Sequence, residues 1–234
     1  MKTATVISLF VFSFAGGKAL AGDWSPFNDP KAPAPLAPVE NCLSYDFVDL
    51  SYGIYDFGTP YFYDGDFYEV GFSKSISEHW YLTGSFADGN YLFDCGCDIN
   101  EVSTRRYRMG VGARKQIASC VDLTFEGGAE HTDAEYSPFP EREYDSWGYY
   151  VGPGIRARWG RFEAFAKALY TGREGDRSQE YLGWRTADAL SPDEDGWLFT
   201  PGMLFHFTDS LSLKIAAEFG ELDNAYTFGA RYEF

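Results

Sequence analysis

The feature that most constrains this chain is a two-residue alternation of apolar and polar side chains, repeated along ten segments. In AYTFGARYEF, residues 225–234, Tyr226, Phe228, Ala230, Tyr232 and Phe234 fall on one face of a strand, and Thr227, Gly229, Arg231 and Glu233 on the other. A strand with such an apolar face invites aggregation if its edges stay unpaired. Nine further alternating segments precede it, at 43–56, 66–76, 80–91, 105–117, 121–135, 145–159, 162–171, 197–207 and 211–221. Their connections are short (77–79, 118–120, 160–161, 208–210) and long (57–65, 92–104, 136–144, 172–196) by turns, with only 222–224 out of character. Short turns at one end, long loops at the other and an even strand number predict an all-β fold: a closed antiparallel up-and-down transmembrane β-barrel of ten strands. The alternative of eight strands would require two of these hairpins to dissolve.

Composition excludes other classes. Aromatic residues make up 19% of the chain, which no disordered segment would carry, and a net charge of −16 lacks the basic footprint of a nucleic-acid binder. After the first residues no apolar run is long enough for a helical span. Residues 1–21 read as a signal peptide, with Lys2, the apolar stretch Val6–Ala15 and the small-x-small site Ala19-Leu20-Ala21. Residues 22–42 are Pro-rich and aperiodic, an extended linker expected in the periplasm, and 43–234 form the barrel domain.

Facing follows from the alternation. The outward set includes Leu211, Leu213, Ile215, Ala217 and Phe219, as well as Trp147, Tyr149, Val151, Ile155 and Trp159. The opposite faces carry Asp49, Glu69, Asp122, Glu126, Glu130, Glu163, Glu218 and Glu233 against Arg106, Arg108, Arg114, Arg156, Arg158, Lys167, Lys214 and Arg231. This balance of acids and bases suits an enclosed lumen, where unpaired charge is strongly unfavourable. Pro153 and Pro201 fall inside strands, where a closed barrel has no free edge, and are expected at bulges or beyond the hydrocarbon zone.

Three stretches, LSYDFVDLSYG (43–53), RRYRMGVGARKQI (105–117) and the closing AYTFGARYEF, resemble small outer-membrane barrel proteins of the porin-family type found in xanthomonads and related Gram-negative bacteria. The resemblance implies an outer-membrane location with both barrel ends of the chain in the periplasm. It also implies that Tyr226, Phe228, Tyr232 and Phe234 act as the signal read by the barrel assembly machinery, and that outer-membrane lipid and lipopolysaccharide are partners.

Ten strands enclose a narrow bore, and sixteen long charged side chains would fill most of it, so an open porin is not expected. The long connections are acidic. Asp193, Glu194 and Asp195 group three carboxylates that would suit a hard cation, without the ligand spacing of a dedicated calcium loop. Export favours disulfides. Cys42 and Cys120 lie at the short-turn end and Cys95 and Cys97 at the long-loop end, about 30 Å apart across the hydrocarbon, so only these two intrachain pairs are open. Cys95 and Cys97, with Asp94 and Asp98, could instead hold a soft metal or stay free. Some ten-stranded outer-membrane barrels are proteases that activate water with carboxylates and a histidine, and here the corresponding candidates are His131, Asp133, Asp88 and Asp145. Their order is His-x-Asp and no Asp-x-Asp pair faces them. The chain is therefore expected to be a barrel with a structural or surface-interaction role and no cofactor, the alternatives being a rim hydrolase and a narrow passive channel.

Overall fold

The computed structural model describes residues 42–56, 62–94, 99–137, 143–176, 195–220 and 224–234. They form ten antiparallel strands: β1 (Phe47–Asp56), β2 (Phe62–Ser75), β3 (Trp80–Asp94), β4 (Ile99–Ala118), β5 (Val121–Ser137), β6 (Glu143–Trp159), β7 (Phe162–Asp176), β8 (Asp195–His206), β9 (Leu211–Phe219) and β10 (Asn224–Glu233). Each strand pairs with its sequence neighbours, and β10 pairs with β1 from Phe47↔Glu233 to Asp56↔Asn224, so the sheet closes on itself. Closure removes the edges that the closing strand would otherwise expose, which leaves backbone polar groups satisfied within the wall.

The alternation is realised as an apolar outside. Leu50, Ile54, Val70, Leu82, Met109, Leu123, Phe125, Ile155, Phe199, Ile215 and Phe228 are large, exposed hydrophobic residues around the wall. Trp80 and Trp159 stand exposed near the short turns, and Trp147 and Trp197 near the long connections. Water would not tolerate such a belt, whereas a lipid bilayer flanked by aromatic girdles accepts it.

Several strands run further than the sequence pattern indicated. The fourth was predicted at 105–117 and spans Ile99–Ala118, and the seventh was predicted at 162–171 and spans Phe162–Asp176. Beyond the apolar belt both faces of a strand are polar, so the alternation fades while the hydrogen-bonded ladder continues. At about 3.4 Å per residue and a tilt of about 40°, the 20 residues of β4 reach roughly 50 Å along the barrel axis, about twice an apolar band of about 25 Å. Much of what read as outer loop is therefore wall standing clear of the lipid. Conversely, residues 43–46, predicted as the start of the first strand, lie outside β1.

The two prolines sit where ladders are interrupted. The β6–β7 ladder runs to Val151↔Tyr170 and resumes at Gly154↔Lys167, and the β8–β9 ladder skips from Phe199↔Phe219 to Gly202↔Ala216. Register is the same on both sides of each gap, so neither proline marks a bulge as expected. Each directs its missing N–H at the strand across the gap, and its opposite side still pairs: Pro153 with Phe125, Pro201 with Ala166. The wall gives up a few ladder bonds locally and keeps its register.

Candidate functional site

Inside the wall, large side chains pack over glycines on the adjacent strand. Phe67 lies directly opposite Gly53, Tyr81 opposite Gly112 and Phe165 opposite Gly202. A Cβ added at these glycines would come within 2.2, 2.1 and 2.2 Å of the facing ring. Glycine is required here for space. Its missing side chain lets an aromatic ring lie flat against the wall and fill the bore.

The remaining volume is occupied by ion pairs in two tiers. In the tier toward the long connections, Arg106 meets Glu218 at 3.3 Å and Glu69 at 3.8 Å, Arg108 meets Glu218 at 3.6 Å, and both Arg108 and Arg173 donate to Glu130, the latter at 2.7 Å. In the tier toward the short turns, Arg231 donates two hydrogen bonds to Asp49 at 2.7 and 2.9 Å, and Lys214 adds a third at 2.9 Å. Arg156 donates twice to Glu163 at 2.6 and 2.8 Å, while Lys167 and Tyr81 hold Glu126 at 2.8 Å. Among these groups runs a cavity of about 170 Å³ that reaches from Tyr45 and Phe47 past Asp49 and Arg231 to Arg106 and Glu218, space for several waters. Charges at this density are tolerable in the interior where they are paired, as Asp49, Glu126, Glu130 and Glu218 are.

The short-turn mouth is crossed by residues 42–46. β1 and the β4–β5 turn stand far apart in the ten-strand circle, yet Cys42 is joined by a disulfide to Cys120 in that turn, with Cα atoms 5.0 Å apart. The strap between them is embedded in the bore. Leu43 and Tyr45 are buried with Tyr81, Arg156 donates to the Ser44 carbonyl at 2.8 Å and Arg158 to the Cys42 carbonyl at 3.2 Å. Tyr45 is sandwiched between the guanidinium groups of Arg156 and Arg114, 4.4 and 4.5 Å from its ring, and donates to Asp122 at 3.1 Å. Burial pushes the Tyr45 phenol well above its ordinary value despite the pull of Arg156, so it acts as a neutral donor to that carboxylate. Cys120 has φ +60°, a left-handed conformation that glycine would adopt without strain, as Gly160 does at +61° in the β6–β7 turn. At position 120 the sulfur that ties the strap stands in glycine's place.

The rim candidates lie elsewhere. His131 Nε2 is 3.3 Å from Asp133 and 3.5 Å from Asp145, so these three converge. They occupy odd positions on β5 and β6, however, whose even positions carry the lumen residues Glu126, Glu130, Tyr150 and Arg156. His131 packs between the rings of Tyr107 and Trp147, both exposed on the outer wall. Asp88 pairs with Arg105 at 3.6 Å, on the outer side of β3 and β4. The cluster therefore faces away from the bore, in the girdle zone. Asp195 is the first residue of β8, and Asp193, Glu194, Cys95 and Cys97 lie outside the described residues.

No family model and no curated protein matches the chain. Among solved structures it is similar to a KdgM porin at 9% identity, covering 80% of this chain and 99% of that one with a TM-score of 0.41. It is also similar to the transport unit of the autotransporter AIDA-I from Escherichia coli, at 11% identity over 85% and 93% of the two chains with a TM-score of 0.47. A third likeness is to Ail, the attachment invasion locus protein of Yersinia pestis, in complex with the heparin analogue sucrose octasulfate, at 14% identity over 82% and 100% with a TM-score of 0.36.

Several lumen residues escaped the sequence reading. Arg173 looked like a loop residue, but the longer β7 turns it onto Glu130. His206 is buried on the lumen side of β8. In the structure its Nδ1 is 2.7 Å from Ser212 Oγ and its Nε2 3.4 Å from Glu163. The signal for the first contact was available, since a short hairpin places His206 opposite Ser212.

Proposed function

We propose that this protein is an outer-membrane barrel of the small, non-enzymatic class, whose work is done by the wall and connections projecting beyond the lipid. The observation that carries this reading is the state of the bore: it is filled by paired charges and glycine-backed rings and is crossed at one mouth by a disulfide-tied strap. A bore in that state supplies rigidity and no route. What remains available to partners is the projecting part of β3–β7, with Asp88, Arg105, His131, Asp133 and Asp145 on its outer face.

In this reading the strap and the short turns face the periplasm, the signal peptide at 1–21 is removed, and the linker at 22–42 is periplasmic. The closing Tyr226, Phe228, Tyr232 and Phe234 serve insertion by the assembly machinery, in keeping with the resemblance to xanthomonad-type barrels. Lipopolysaccharide is the first partner of the aromatic girdle. The test is to replace 177–194 by a short Gly-Ser connection and measure binding of cells or proteoliposomes to purified lipopolysaccharide and to host-type surfaces. Lost binding by a barrel that still folds is the expected result. Unchanged binding to every surface would refute the surface role. The hydrolase reading is the weaker one, because the converging His131, Asp133 and Asp145 stand on the outer face of the wall, with His131 packed against Tyr107 and Trp147 and directed away from the bore.

A further inference from the structure

Glu163, His206 and Glu233 meet at the short-turn end of the lumen, brought there by β7, β8 and β10. The strand ends are fixed by backbone bonds: His206 N–H to the Arg161 carbonyl at 2.8 Å, and Glu233 N–H to the Ser210 carbonyl at 2.8 Å. All three residues are buried, at 0%, 2% and 6% exposure. One potential ligand atom from each lies within 4.8 Å of the other two.

The bonding of these residues is asymmetric. Glu163 Oε1 is engaged by Arg156, and His206 Nδ1 by Ser212. Glu163 Oε2, His206 Nε2 and Glu233 Oε1 make no well-formed hydrogen bond although all three are shielded from solvent, the nearest approach being His206 Nε2 to Glu163 Oε2 at 3.4 Å. A single buried polar atom without a partner is costly, and three converging ones call for a shared occupant. One imidazole nitrogen and two carboxylate oxygens form a donor set suited to first-row divalent ions. Ser212 supplies the supporting contact typical of such sites: with Nδ1–H donated to its hydroxyl, the Nε2 lone pair is turned toward the two carboxylates. Arg156 and Arg231 stand close by, the latter 3.9 Å from Glu163. Their charge works against a cation held only by electrostatics, which disfavours calcium and magnesium relative to an ion that bonds strongly to nitrogen.

We propose that Glu163, His206 and Glu233 form a buried binding site for a first-row divalent transition-type ion, of which zinc is the probe. The ion would clip the lower ends of β7, β8 and β10 together next to the β1–β10 seam, with its fourth position left to water.

The test uses the full barrel, folded in detergent after chelator treatment and titrated with zinc alone. Expected are one tightly bound zinc per chain by calorimetry and elemental analysis, an upward shift of the thermal midpoint, and, with cobalt in place of zinc, a visible spectrum of a nitrogen and oxygen ligand set. Glu233→Gln and His206→Ala should each weaken binding at least tenfold. Ser212→Ala, which leaves all three ligands in place, should weaken it by about 10- to 100-fold, so the inference remains testable if a ligand variant fails to fold. His131→Ala, in the separate outer cluster, should leave binding intact. Absence of stoichiometric zinc binding by the folded barrel would overturn the proposal, because the three atoms would then be bridged by a protonated His206 or a water. So would binding abolished by His131→Ala and untouched by Glu233→Gln and Ser212→Ala.

Discussion

Cutting the strap's covalent tie should cost stability without opening the bore. The disulfide joins residues separated by 78 positions, and the loop-closure relation gives about 4.5 kcal/mol at 25 °C for a ring of that size. Measured losses usually fall short of that relation, at about 2–4 kcal/mol, because the unfolded chain retains structure. Cys42→Ser should therefore lower the unfolding free energy by about 2–4 kcal/mol. Cys120→Gly cuts the same tie but also relieves a left-handed residue, a relief of about 1 kcal/mol, so it should lose about that much less. In either variant the strap stays seated, because Leu43 and Tyr45 remain buried and Arg156 and Arg158 still grip its carbonyls. Adding Tyr45→Ala removes the ring between Arg114 and Arg156 and should release it. The assay is urea unfolding in lipid vesicles followed by tryptophan fluorescence, with and without reductant. Identical midpoints for the oxidised protein and Cys42→Ser would refute the reasoning, as would Cys120→Gly proving less stable than Cys42→Ser.

Three further expectations address the wall and the lumen. Ile215 is exposed midway along β9, so Ile215→Arg should cost about 2–4 kcal/mol in vesicles, and a negligible cost would deny that this face meets lipid. Glu130 is buried between Arg108 and Arg173, so Glu130→Gln should destabilise the barrel by about 3–5 kcal/mol by leaving buried guanidinium charge unpaired; an unfolding curve matching the wild type would show the pairs to be dispensable. Gly53→Val pushes a side chain into the Phe67 ring and should cost about 1–3 kcal/mol, recovered in part by adding Phe67→Ala, with double-mutant unfolding as the check.

The strand number, order and facing were legible because period-two alternation and hairpin length are local properties. Which charges share the inward parity could be read from the alternation, but their pairing could not, since Asp49 meets Lys214 and Arg231 only after the barrel closes and Arg106 reaches across the lumen to Glu218. The strap was hidden for a different reason. Leu43 and Tyr45 fall on odd positions while the outward apolar face of β1 is even (Val48, Leu50, Tyr52, Ile54), so the phase slips at Phe47-Val48, and a strand drawn through 43–56 passes over that slip. Strand ends above the lipid were underestimated because their outward residues become polar, as Glu101 and Ser103 do on β4, which erases the contrast that marked the strands below. Arg173 was lost with them, and so was half of the grip on Glu130. The outward parity of His131 was readable from its odd position on a strand with Glu126 and Glu130 inward, and it already argued against a catalytic role over the bore.

The claim that organises the rest is that the bore is closed. Single-channel recording in planar bilayers tests it most directly, on the purified protein with its Cys42–Cys120 disulfide intact. No conductance steps are expected from the oxidised wild type, whose bore is crossed by the strap and occupied by ion pairs. Reproducible steps from the oxidised wild type would contradict that claim.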